Sequence, residues 1–292
     1  MKKECILMDV FTEIPFTGNQ LAVFPLSDDL SEIQMQKLAN EINYPETTFI
    51  LKSTDSKADY DIRIFTPKSE LPFAGHPTLG TAYVILNILD NELKNQNSIK
   101  LRTKAGVIPL EESDGFLWMK QNHPDFFQIY QDIEEIVELV GLEKTDISET
   151  LPIEEISTGN TMLLIPVKGL SAMHKAKANV DKIIHFFAKH QSIAPYLFTF
   201  ETEDPNSKVH TRMFAPHFGI PEDPATGSAA GPLVAYLLKY DVFGSRFEIQ
   251  NEQGLEMGRP SKIKMRGCIT DGKYEIEIGG HCHFIGHATF HI

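Results

Sequence analysis

The spacing of apolar residues along the chain predicts short β-strands alternating with α-helices. Residues 61–67 (DIRIFTP) alternate polar and apolar side chains, as a half-buried strand does, and run into a turn. Pro77 follows that turn and suits the opening of a helix, where its missing N–H has no partner to lose. From Ala82 onward, apolar residues recur at i, i+3, i+4 and i+7. The stretch therefore predicts a strand, a turn and an amphipathic helix in that order.

A second turn of this kind lies near the other end of the chain, at residues 222–237 (EDPATGSAAGPLVAYL). Asp223 precedes a proline, and a helix that begins near Ser228 would hold Pro232 among the first residues whose N–H groups are unpaired. A helix start gathers free backbone N–H groups and the positive end of the helix dipole. Both turns are therefore predicted places to hold an anion.

Further repeated segments indicate that the chain is a duplication. TGN occurs at residues 17–19 and 158–160, and RIFTP at 63–67 returns as RMFAP at 212–216. A helix capped by Ser31, with Gln34 completing a capping box, has a partner capped by Asn179. A repeat of this length is a whole domain. We predict an α/β (α+β) fold of two pseudo-symmetric lobes, each with strands wrapped around a central helix.

The predicted boundaries follow from the repeat. The first lobe covers residues 1–124 and is completed by residues 279–292, and the second covers residues 125–278. The closing segment GGHCHFIGHATFHI has no counterpart after the strand at 116–120, so it is expected to cross back to the first lobe.

Composition narrows the class of ligand. The 292 residues carry a formal net charge of −13, which opposes binding to nucleic acid or to an anionic membrane surface. We therefore expect a small-molecule partner, held by a local site. The three cysteines have no paired spacing, and charged residues interrupt the apolar run at the N-terminus, so a cytoplasmic protein without a signal peptide is expected.

Three residues are candidates for chemistry. His76 in the first turn takes roughly the place of Asp223 in the second, so a symmetric scaffold would present an asymmetric site in a cleft between the lobes. Glu46 has no matching carboxylate, because the equivalent stretch of the second lobe offers Ala194 and Pro195. The alternative is structural: Asp223 as an N-cap, His76 as a loop histidine bonded to backbone, and Glu46 as a solvated side chain.

The motifs that contain these residues resemble the phenazine-biosynthesis PhzF-like family. They are ETTF at 46–49, RIFTPKSELPFAGHPTLGTA at 63–82 and EDPATGSAAGPLVAYL at 222–237, and DVFTEIPFTGNQLAVF at 9–24 extends the likeness. The resemblance implies the diaminopimelate-epimerase-like fold, usually in a homodimer. It also implies a cofactor-independent isomerase that moves a proton within a small cyclic hydroxy-amino acid.

The resemblance further assigns roles to residues. Glu46 would transfer the proton, with His76 and Asp223 contacting the substrate. Gly227 and Ser228 would hold the substrate carboxylate, and Gly75 would line the cleft opposite. Pro45 departs from the family, which usually has Ser there; this puts the substrate in question more than the acid/base chemistry.

Two other functions remain open at this point. An epimerase or racemase on the same fold would need one cysteine from each lobe at the substrate, and neither helix turn contains Cys. A binding or interaction protein would keep the cleft without turnover. The histidines near the C-terminus lack a carboxylate or cysteine pair that would complete a metal site, so no metal or cofactor is expected.

Overall fold

The computed structural model describes residues 1–89, 92–94, 96–113, 115–190 and 192–292. It divides into two compact units. The first consists of Met1–Lys120 with Gly279–Ile292, and the second of Gln121–Ile278. None of the helices in these described ranges is both long and apolar enough to cross a membrane.

In the first unit, strands alternate with two helices. Its elements are β1 (Lys2–Val10), β2 (Asn19–Phe24), α1 (Glu32–Ile42), β3 (Glu46–Lys52), β4 (Tyr60–Phe65), β5 (Glu70–Leu71), α2 (Gly75–Tyr83), β6 (Ser98–Thr103), β7 (Gly106–Ser113) and β8 (Phe116–Lys120). A turn of π-helix at Val84–Ile88 extends α2.

The second unit follows the same plan with extra helical turns. Its elements are β9 (Asp125–Tyr130), α3 (Glu134–Leu139), β10 (Ile153–Ser157), β11 (Thr161–Pro166), α4 (Leu170–Lys175), α5 (Val180–Phe187), β12 (Ala194–Thr199), β13 (Val209–Ala215), β14 (Ile220–Asp223), α6 (Gly227–Lys239), β15 (Arg246–Gln253), β16 (Ser261–Thr270) and β17 (Lys273–Gly280), whose last two residues are counted with the first unit. The last strand, β18 (Cys282–His291), belongs to the first unit and pairs antiparallel with β1.

Strand pairing is the same in both units. In the first, β1–β2 is antiparallel, β2–β3 parallel, β3–β4 and β4–β5 antiparallel, β4–β6 parallel and β6–β7 antiparallel. In the second, the series β10–β11, β11–β12, β12–β13, β13–β14, β13–β15 and β15–β16 repeats these directions in the same order. The duplicated motifs therefore correspond to a duplicated sheet.

Local signals account for the helix starts. Ser31 and Gln34 form the predicted capping box at α1, because each side chain bonds the other's backbone N–H. The Asn179 side chain accepts from the Lys182 N–H at the start of α5. Met35, on the inner face of α1, packs on a core that includes Phe49. These capping residues fix where the surface helices begin.

The two central helices are buried on almost every side. In α2, all residues from Gly75 to Ala82 are buried, so the sheet surrounds it. In α6, the helix begins at Gly227, one residue earlier than predicted, and Pro232 is its sixth residue. The expectation that Pro232 lies among the first unpaired N–H positions was therefore wrong, and its missing N–H leaves the Ser228 carbonyl without the usual helical donor.

The backbone packs closely around Gly18 in the turn before β2, and Gly272 serves as a comparison in open space. Gly18 has φ +69°, and a Cβ there would lie 2.5 Å from the Val10 carbonyl oxygen; Gly272 has φ +73° and open space around it. Both Gly→Ala changes carry the left-handed backbone cost of about 1 kcal/mol. We expect Gly18→Ala to cost roughly 2 kcal/mol more, because its neighbour is backbone. Urea unfolding of both variants measures the difference, and equal losses would contradict the close contact.

Candidate active site

Glu46 is placed by the parallel pairing of β2 and β3. It is the first residue of β3, directly opposite Leu21, and is only 7% exposed. Thr48, two residues on, shares its face of the strand. The Thr48 hydroxyl lies 2.7 Å from that of Thr81 on α2, and Thr81 donates its own proton to the Pro77 carbonyl. This face of β3 therefore turns toward α2.

His76 is the second residue of α2 and is 4% exposed. Its Nε2 lies 3.4 Å from Oε2 of Glu46. Its Nδ1 lies 3.2 Å from Nδ2 of Asn19, the first residue of β2. Three elements thus bring an amide, an imidazole and a carboxyl group together at the start of the central helix.

The imidazole of His76 is neutral. Burial lowers its pKa to about 3, against the opposing effect of a hydrogen bond to the Gln20 backbone. The contact with Glu46 therefore joins a carboxyl group to an uncharged ring. A neutral imidazole can accept a hydrogen bond at one nitrogen and donate one at the other, which suits contact with a polar substrate.

Asp223 occupies the matching end of the second unit. It is the last residue of β14, 6% exposed, and its Oδ2 accepts the hydroxyl proton of Thr226. Helix α6 begins at Gly227, the residue after Thr226, and Ser228 is its second residue. Asp223, Gly227 and Ser228 therefore gather at one helix start, as Gly75 and His76 do at the other.

Register corrects the equivalence that the sequence suggested between His76 and Asp223. Ile64 pairs with Leu71 in the first unit, and Met213 pairs with Asp223 in the second. Since Ile64 and Met213 are equivalent by the R-x-F-x-P motif, Asp223 corresponds to Leu71.

Two ion pairs confirm this register. Arg63 binds Glu70 through Nε at 2.8 Å, and Arg212 binds Glu222 in the same way at 2.8 Å. Counting on from the paired glutamates, Gly75 matches Gly227 and His76 matches Ser228. The second unit has three additional residues around the 3-10 turn at Pro216–Phe218. Because of them, spacing along the sequence matched His76 with Asp223.

Two residues beside the candidate site were not predicted from the sequence. Asn19 contacts His76, and Thr226 contacts Asp223. A signal existed for Asn19, because it ends the repeated TGN motif. For Thr226 the position just before a helix start was the available signal.

The C-terminal histidines are spread along one strand. His281, just before β18, lies over Phe116 with ring centroids 4.0 Å apart, and its Nε2 is 3.5 Å from Glu13. Among the residues that the structure describes, no group of three His, Cys, Asp or Glu side chains is arranged to hold a metal ion.

Duplicated units that each wrap strands around a buried helix are the architecture of the epimerase-like enzymes. A solved hydroxyproline epimerase from Agrobacterium vitis superposes with a TM-score of 0.65 at 12% identity, covering 99% of this chain and 92% of that one. This likeness concerns the fold alone.

Closer comparisons identify the family. The model of the phenazine biosynthesis-like proteins, PhzC-PhzF, matches residues 8–288. A PhzF-family protein of Bacillus anthracis superposes with a TM-score of 0.90 at 29% identity, covering 100% of both chains. The trans-2,3-dihydro-3-hydroxyanthranilate isomerase of Pseudomonas chlororaphis is 34% identical, over 97% of this chain and 98% of that protein. The chain belongs to the PhzC-PhzF family and is an isomerase of the PhzF type.

Proposed function

We propose that this isomerase shifts a double bond in a small cyclic acid that carries hydroxyl or amino groups, without a metal or an organic cofactor. The observation that supports this most directly is the buried pair of Glu46 and neutral His76, 3.4 Å apart at the start of α2. The Pseudomonas relatives are named for trans-2,3-dihydro-3-hydroxyanthranilate, which is therefore the first substrate to test.

Proton transfer by Glu46 is sufficient for such a reaction. The carboxylate takes a proton from one ring carbon, and the electron pair of that C–H bond becomes a new double bond. The pair of the old double bond then forms a C–H bond at another carbon, with the proton that Glu46 returns. No atom or electron is gained or lost. A single acid/base group suffices when the proton leaves one carbon and reaches the other on the same face of the substrate ring.

The remaining residues are assigned to binding. His76 and Asp223 contact the polar groups of the substrate. Gly75, Gly227 and Ser228 present backbone N–H groups at helix starts, which hold a carboxylate without a charged side chain. We further propose that the enzyme is a cytoplasmic homodimer, which sedimentation and cell fractionation would test.

The cysteines do not support a two-thiol epimerase. Cys5, Cys268 and Cys282 are buried in β1, β16 and β18, and none of them belongs to the turns that lead into α2 and α6. Burial raises the pKa of Cys5 to about 12 and that of Cys282 further still. The thiols of Cys5 and Cys282 therefore stay protonated at neutral pH and cannot accept a proton from a substrate.

The direct test is to follow trans-2,3-dihydro-3-hydroxyanthranilate and related cyclic acids by NMR in the presence of the protein. We expect the double bond to move and one ring carbon to gain a hydrogen. Inversion of a centre with no shifted double bond would favour an epimerase. Saturable binding without turnover would make the chain a binding protein.

A further inference from the structure

A buried polar network lies beneath the start of α6. At its centre is Gln253, the last residue of β15, which is fully buried. Tyr196, Thr211 and Asn251 bond to one another and extend the network across neighbouring strands. Burying a polar group costs free energy of folding unless the group is hydrogen-bonded. A buried network of this size therefore indicates a specific role.

The orientation of the Gln253 amide is determined by backbone groups. Its Nε2 donates to the Asp223 carbonyl at 2.8 Å and to the Thr226 hydroxyl at 2.9 Å. Its Oε1 accepts the Thr226 N–H at 3.2 Å. Because a carbonyl only accepts and an N–H only donates, the reversed amide would lose both backbone bonds.

The direction of the Thr226 hydroxyl follows from this. Its oxygen accepts from Gln253, so its single proton is available to the carboxylate of Asp223, where the structure places it. Gln253 thus holds the Asp223 backbone directly and its carboxylate through Thr226. A hydrogen bond to an ionised carboxylate is about twice as strong as one between neutral groups.

The first unit has the same backbone without this network. By register, Asp223 corresponds to Leu71, Thr226 to Ala74 and Gln253 to Thr103. Neither Ala74 before α2 nor Thr226 before α6 makes a side-chain hydrogen bond that caps its own helix. A central helix of this fold therefore starts properly without the Gln253–Thr226–Asp223 chain, and fold stability alone does not explain why the second unit has it.

We propose that Thr226, held by Gln253, is a positioning residue that fixes the carboxylate of Asp223 in the orientation that meets the substrate. The inference rests on the proposed function, in which Asp223 contacts the substrate. Thr226 acts through Asp223 and takes no part in proton transfer.

The test compares Thr226→Val, which removes the hydroxyl at nearly constant size, with Thr226→Ser, which restores it. We expect Thr226→Val to lower kcat/KM by roughly ten- to a hundredfold, the effect of one hydrogen bond to a charged group. Thr226→Ser should stay within about threefold of the wild type. Thr199→Val, a buried threonine in β12, is the matched control and should leave kcat/KM unchanged. If Thr226→Val does not fold, Thr226→Ala replaces it.

Crystal structures of the substrate-free variants provide a second measurement, the orientation of the Asp223 carboxylate, which does not depend on enzymatic activity. The Asp223 carboxylate should rotate in Thr226→Val and remain in place in Thr226→Ser. If the wild type turned over no cyclic acid, the proposed function would fail, and these structures would still decide the positioning role. An unmoved Asp223 in Thr226→Val, or kcat/KM equal to that of the wild type, would overturn the inference.

Discussion

Glu46→Gln is expected to reduce turnover by roughly a thousandfold or more, because general acid/base groups contribute on that order and Gln cannot exchange the proton. Gln keeps the size of the side chain, so folding and substrate binding should change little. Glu46 is the first residue of β3, and its contact with His76 would become one between an amide and an imidazole. Steady-state kinetics, with calorimetric binding of the substrate, separate the two effects.

The matched control is Glu155→Gln in the second unit. Glu155 is also a buried strand glutamate, and it accepts hydrogen bonds from Tyr130 and Ser192. This variant measures the cost of turning a buried carboxylate into an amide at a glutamate whose hydrogen-bond partners, Tyr130 and Ser192, lie outside both central helices, and it should retain turnover. Near wild-type turnover in Glu46→Gln would remove Glu46 from the mechanism.

Deuterated water distinguishes how the proton travels. If Glu46 carries the proton between two carbons faster than the proton exchanges with solvent, part of the transferred hydrogen comes from the substrate. Complete incorporation of deuterium would mean that the carboxyl group exchanges before it returns the proton.

His76→Ala and Asp223→Asn should weaken both binding and rate, since these residues are assigned to positioning the substrate.

The elements that depend on neighbours in sequence were predictable. The Ser31 capping box involves residues three positions apart, so the pattern alone identified the start of α1. The repeated TGN motifs lie at the turns that connect β1 to β2 and β10 to β11, and the R-x-F segments lie in β4 and β13, so the two-unit fold followed from the repeat.

Residue-level equivalence was not predictable from spacing. The hairpin from Arg212 to Glu222 contains three more residues than the equivalent hairpin from Arg63 to Glu70, and a fixed offset cannot tell on which side of the insertion a residue lies. It therefore matched His76 with Asp223, whereas strand register matches His76 with Ser228. Contacts such as those of Gln253 with Thr226 join residues 27 positions apart, and only the folded strands bring them together.

The same register shows a charge reversal between the units. Asp61 pairs with Arg102 across β4 and β6, and at the equivalent place His210 pairs with Glu252 across β13 and β15. Asp61 binds Arg102 Nε at 2.7 Å, and Glu252 lies 2.8 Å from His210 Nδ1. The cation of this pair is therefore an arginine in the first unit and a histidine in the second. Of the two, only histidine titrates near neutral pH.

The stability of the second unit is therefore expected to depend on pH through His210. Burial lowers its pKa, but hydrogen bonds to Glu252 and Glu256 outweigh burial and raise the pKa to about 9. The unfolded chain has the ordinary value near 6.5. The stabilisation is therefore fully present below pH 6.5 and is lost as pH rises through 9. It amounts to roughly 3 kcal/mol for a shift of this size.

His210→Gln should lower the free energy of unfolding by roughly 3 kcal/mol at pH 6, because Glu252 and Glu256 then lose their buried cation. It should also flatten the fall in stability between pH 6.5 and 9, since Gln does not titrate. Urea unfolding at intervals from pH 6 to 10 measures both effects. Asp61→Asn is the control, because it breaks the equivalent pair in the first unit without removing a group that titrates in this range. A wild-type curve that is flat across this range, or an undiminished slope in His210→Gln, would show that the imidazolium does not hold the two glutamates.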